Sequence, residues 1–90
     1  MSQIYLEVTY SDGRPFAAYL QLPRQPGDKA VRTTKAQPGL LVDYAADGRP
    51  IGIEITSPCH VTFDQVNQTL QTLDLPPISR EAFAPLATAA

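Results

Sequence analysis

Apolar residues alternate with polar ones in four stretches of the chain. Ile4, Leu6, Val8 and Tyr10 interleave with Gln3, Tyr5, Glu7 and Thr9, and Phe16, Ala18, Leu20 and Leu22 repeat the pattern. Leu40, Val42 and Tyr44 form a third set, and Ile51, Ile53 and Ile55 a fourth. A period of two places one set on one face of a half-buried strand. The turn cluster Ser11-Asp12-Gly13-Arg14-Pro15 joins the first two stretches into a hairpin. Both apolar sets there are even-numbered. A three-residue loop, Asp12-Gly13-Arg14, keeps them on one face and pairs Tyr10 with Phe16, Val8 with Ala18 and Leu6 with Leu20. The tetrapeptide Asp-Gly-Arg-Pro returns at Asp47-Gly48-Arg49-Pro50, now between an even and an odd set. A two-residue Asp47-Gly48 turn fits there, pairing Tyr44 with Ile51 and Val42 with Ile53. Duplication and reuse of a good turn both account for the repeat. Lys29 to Thr34 reads as a short polar edge strand, where lysine blocks further pairing. Pro38-Gly39 is the next turn.

After Ile55 the period changes. Phe63, Val66, Leu70 and Leu73 mark one stripe of a helix. Thr62 and Gln65 have the spacing of a capping box, and Asp64 lies in the first turn. Pro76-Pro77 ends the helix. Ser79 suits the cap of a further short turn holding Phe83, in which Pro85 removes a hydrogen bond. The predicted fold is therefore α+β: an antiparallel meander of about five strands with two Asp-Gly hairpins, covered by one C-terminal helix. One domain is expected over 1–90, with the sheet in 1–57, the helix in 58–75 and a short helical or frayed tail in 76–90.

Composition narrows the function classes. The 90 residues are 43% hydrophobic and 18% charged with a net charge of −2, as expected of a folded domain and not of a dedicated nucleic-acid binder. Cys59 and His60 are the sole residues of their types, so neither an internal disulfide nor a four-ligand Cys/His zinc site fits one chain. No membrane span or signal peptide is read in the sequence, and cytoplasmic residence is expected. The adjacent Cys59 and His60 read as a partly buried structural thiol and a loop histidine. Arg24, Lys29, Arg32 and Lys35 face Asp28 alone, a local excess of three positive charges. That stretch suits an edge strand, or phosphate or an acidic partner.

Residues 40–55 run Leu-Leu-Val-Asp-Tyr-Ala-Ala-Asp-Gly-Arg-Pro-Ile-Gly-Ile-Glu-Ile. This resembles the small bacterial family called domain of unknown function 2283. The positions that carry the likeness are Val42, Asp43, Tyr44, Asp47, Gly48, Gly52, Ile53, Glu54 and Ile55. Tyr5, Tyr19-Leu20, the Val61–Leu70 helix and Pro-Pro-Ile-Ser also look like a longer form of it. The resemblance implies no activity. Some members look like the second gene of toxin–antitoxin-like pairs, which implies a protein partner.

The register sets Asp43 opposite Gly52, with Glu54 on the diagonal about 7–8 Å away at Cα. This acidic pair reads as a solvated sheet face, as a dock for a partner's arginine over a bare Gly52, or as an acid–base or metal site with His60. Tyr5 and Tyr19 lie on the face opposite Leu6 and Leu20, where with Leu41 they either cover a second small core or anchor a partner. On the helix, Asp64, Gln65, Asn67, Gln68, Gln71 and Thr72 form a polar, nearly uncharged outer face. The expected function is a non-enzymatic protein-interaction module without a cofactor, catalytic residue or resident metal. Tyr5, Tyr19, Leu41, Asp43, Gly52 and Glu54 are its partner-binding residues, and Asp12, Gly13, Asp47 and Gly48 its structural turns. The partner is a small protein bound in antitoxin fashion, or a second copy in a homo-oligomer; nucleic acid and membrane are not expected.

Overall fold

The alternating stretches become strands because each has one face to bury. In a computed structural model, which describes residues 4–87, they form β1 (Tyr5–Ser11), β2 (Arg14–Gln21), β3 (Arg32–Gln37), β4 (Leu40–Tyr44) and β5 (Pro50–Ile55). All pair antiparallel in one sheet of order β1-β2-β5-β4-β3. The sheet is meander-like with one crossover. The segment after β2 passes across the end of the β4–β5 hairpin and delivers β3 to the far edge. Leu22 N–H donates to Ile51 O and Val31 N–H to Tyr44 O along this path. The edge position of β3 matches the sequence reading, although the strand starts at Arg32 and not at Lys29.

Leu6, Leu20, Ile53, Val42 and Thr34 form one continuous row across all five strands. Three of them, Leu20, Ile53 and Val42, are at most 1% exposed. The helices cover this inner face. A 3₁₀ turn (Pro58–His60) leads into α1 (Phe63–Thr72), and α2 (Arg80–Ala87) follows. Val66, Leu70, Phe83 and Leu86 join the sheet's inner face in one core. The Thr62–Gln65 capping box forms in both directions, with Thr62 Oγ1 accepting from Gln65 N–H and Gln65 Oε1 from Thr62 N–H. Helix α1 ends before the prolines. Leu75 N–H donates to Leu70 O and Asp74 N–H to Gln71 O, with Asp74 at φ 58°. That is a Schellman ending built on aspartate. The tail is a second helix, capped by Ser79 Oγ, which accepts from Ala82 N–H.

The hairpin loops differ from expectation, and one cause explains both differences. Each hairpin carries one unpaired residue beside its turn: Phe16, Ala36 and Ile51. The first hairpin keeps the expected pairing up to Thr9 with Ala17. Tyr10 then pairs with Pro15 and not with Phe16, and the loop shrinks to Asp12-Gly13. Those two residues have φ 53° and 76°, the positive pair of a type I′ turn. The second hairpin keeps Val42 with Ile53, but Tyr44 pairs with Pro50. Its loop has three residues, because Ala45 N–H donates to Arg49 O and Gly48 N–H to Ala45 O. A bulge adds one residue to one strand, so it offsets a turn that is one residue too short or too long.

Candidate functional site

The outer face of the sheet holds Tyr5, Gln21, Gly52, Asp43 and Thr33 in one row and Glu7, Tyr19, Glu54, Leu41 and Lys35 in the next. Gly52 decides how the rows interact. The Tyr19 phenol leans from β2 across β5 and lies on Gly52, where a Cβ would overlap its ring and hydroxyl. This path lets Tyr19 Oη donate to Asp43 Oδ2 on β4 at 2.9 Å. Thr33 Oγ1 of β3 donates to Asp43 Oδ1 at 2.6 Å. Arg24, in the crossover segment, donates from Nη2 to Tyr19 Oη at 3.0 Å and from Nε to Ile51 O at 3.1 Å. The relay Arg24–Tyr19–Asp43–Thr33 therefore spans four strands. Among the described residues no buried side-chain nitrogen or oxygen lacks a partner.

Two sequence expectations are corrected here. Asp43 is not solvated but 6% exposed, with both oxygens engaged. Gly52 is not bare but buried under Tyr19. The chain's own Arg24 joins this cluster, through the Tyr19 hydroxyl. The missed signal was long-range: nothing local to Arg24 or Thr33 marks either as a partner of this cluster.

The phenol of Tyr19 is pushed up to about 12, first by burial, then by its hydrogen bond to Asp43 and that carboxylate's charge; Arg24 opposes this. The folded state thus holds the proton more tightly than the unfolded chain, whose tyrosine titrates near 10. The stability contributed is whole below pH 10 and is lost as pH rises through about 12. A phenolate absorbance titration is expected to show a late step from Tyr19. Tyr19→Phe should remove that late step and no other. Its persistence in the variant would assign it to a different tyrosine.

Of the remaining predicted residues, Tyr5 is 55% exposed at the β1 edge, while Leu41 and Glu54 are half-buried on the open face. Among the basic residues, Arg32 stacks on the Tyr44 ring at 4.1 Å. Asp28 binds Arg49, which also binds Asp47. The hydrogen bonds from Arg49 hold both carboxyls below the usual aspartate range. Lys29 and Lys35 are exposed. The helix amides are partly used internally: Gln68 Oε1 accepts from Gln37 Nε2 of β3, and Asn67 exchanges hydrogen bonds with the Ile78 backbone. Cys59 is exposed, which corrects its reading as a partly buried thiol. Among the described residues no three His, Cys, Asp or Glu side chains are grouped to hold a metal ion, so Asp43, Glu54 and His60 do not come together as one.

The strand-spanning relay, its covered glycine and the Asp-Gly hairpin all fall in one segment. Residues 17–57 match the family model DUF2283, described as a protein of unknown function. The sequence resemblance is thereby supported, and the DUF2283 segment runs from β2 to β5 with the crossover between them. It contains all four relay residues and Gly52. No curated protein and no solved structure matches the chain. No helix of the described residues is long and apolar enough to cross a membrane.

Proposed function

We propose that this chain is a non-enzymatic module that binds a small protein partner across the open face of its sheet. The observation that carries the reading is how Asp43 is used. Both oxygens of this buried carboxylate are occupied by Tyr19 and Thr33, which suits holding strands and not proton transfer. The relay stiffens a face that displays Leu41 and Glu54 beside it, and a preorganised surface loses little entropy on binding. Antitoxin-like neutralisation of the partner in the cytoplasm is the sharper form of the proposal, and it rests on the family resemblance.

The test is capture from nuclease-treated source lysate with wild-type, Leu41→Glu and Glu54→Lys baits, read by mass spectrometry. Tyr19→Ala is unsuitable because it removes the strand clamp. The wild type is expected to recover one small protein at equal stoichiometry. Both variants should fold by circular dichroism and recover at least tenfold less of it. Equal recovery by folded variants would place the binding surface elsewhere.

A further inference from the structure

The two edges of the sheet are built differently. The β3 edge carries Arg32 and Lys35 and a bulge at Ala36, the devices that discourage another strand from pairing. The β1 edge has none of these. Tyr5-Leu6-Glu7-Val8-Thr9-Tyr10-Ser11 contains no lysine, arginine or proline, and the unpaired residue of its hairpin, Phe16, sits on β2. Tyr5 and Tyr10 are 55% and 56% exposed. Leu6 and Val8 pack on the core yet stay only partly buried. Such a strand offers an open row of backbone donors and acceptors together with an apolar flank.

We infer that a second copy of this chain pairs along β1, antiparallel and about a two-fold axis at Val8, to make one continuous ten-stranded sheet. The sequence of β1 selects this register. Opposed residues in an antiparallel pair point to the same face. A two-fold lying between residues would set Glu7 against the partner's Val8 and mix the polar and apolar faces. A two-fold at Glu7 would set the two Glu7 carboxylates against each other. A two-fold at Val8 pairs all seven residues, sets Glu7 against the partner's Thr9, and brings the exposed Tyr10 over the partner's Leu6. Like charges stay apart, and the apolar set of each copy covers that of the other. This pairing uses neither Leu41 nor Glu54, so it stands or falls independently of the proposed partner surface.

Sedimentation equilibrium of the purified chain tests it. The wild type is expected to sediment at twice its 9.8 kDa mass. Thr9→Glu places a glutamate against the partner's Glu7 at two symmetric positions and should weaken the dimer about tenfold. Adding Glu7→Lys turns both contacts into opposite-charge pairs and should restore it. Circular dichroism is expected to be the same for all three chains. A wild type that stays monomeric up to about 1 mM overturns the inference. So does a Thr9→Glu dimer of undiminished affinity, or a double variant that is not rescued.

Discussion

Gly52→Ala is expected to destabilise the fold by about 2–4 kcal/mol, although alanine ordinarily gains about 0.5–1 kcal/mol over glycine inside a strand. The new methyl occupies the place of the Tyr19 ring and hydroxyl. The phenol must swing away, and Asp43 Oδ2 then loses its donor in a site that is 6% exposed. A buried acceptor oxygen left without its donor is the costly term. A double-mutant cycle isolates the cause. In a Tyr19→Ala background the methyl has room, so Gly52→Ala should be neutral or slightly stabilising. Urea unfolding of the four chains measures this. Equal penalties in both backgrounds would refute the steric account. In the single variant the late phenolate step should also move back toward 10, since the phenol is no longer buried against Asp43.

Ile53→Ala is expected to cost about 2–5 kcal/mol, a large share of the roughly 5–10 kcal/mol available to a domain of this size. Ile53 is fully buried on the central strand, opposite Leu20 on one side and Val42 on the other. No neighbour can close the gap without breaking the five-strand row, so a cavity remains under the helices. The urea midpoint should fall with an unchanged slope. A loss under about 1 kcal/mol would mean that the row repacks.

Much of this architecture is legible in the sequence. The alternation around Val8, Leu20, Val42 and Ile53 names the strands and their inner face. Thr62 and Gln65 announce α1, and the pairings of Leu6 with Leu20 and Val42 with Ile53 follow from burial alone. The turn lengths do not, because Phe16 and Ile51 absorb one residue each and uncouple loop from register. Nor does the relay. Tyr19 meets Asp43 only because β5 lies between β2 and β4, and a period of two carries no information on which strands are neighbours. Arg24 was legible as a charge but not as a ligand of the phenol, since its position depends on how the crossover segment runs.

The strand order has a consequence for how the chain reaches its native state. β1–β2 and β3–β4–β5 are each closed by short turns, so both assemble through local contacts at small entropic cost. The single seam between β2 and β5 joins residues distant in sequence, and closing it fixes the whole crossover segment at once. Tyr19 and Arg24 lie on that seam and cannot find Asp43 and Ile51 until it forms. The Tyr19–Asp43 link of the relay is therefore made only when the seam closes, whereas Thr33 meets Asp43 already in the β3–β4 hairpin. Tyr19→Phe is accordingly expected to speed unfolding more than it slows refolding, as stopped-flow measurements in urea would read.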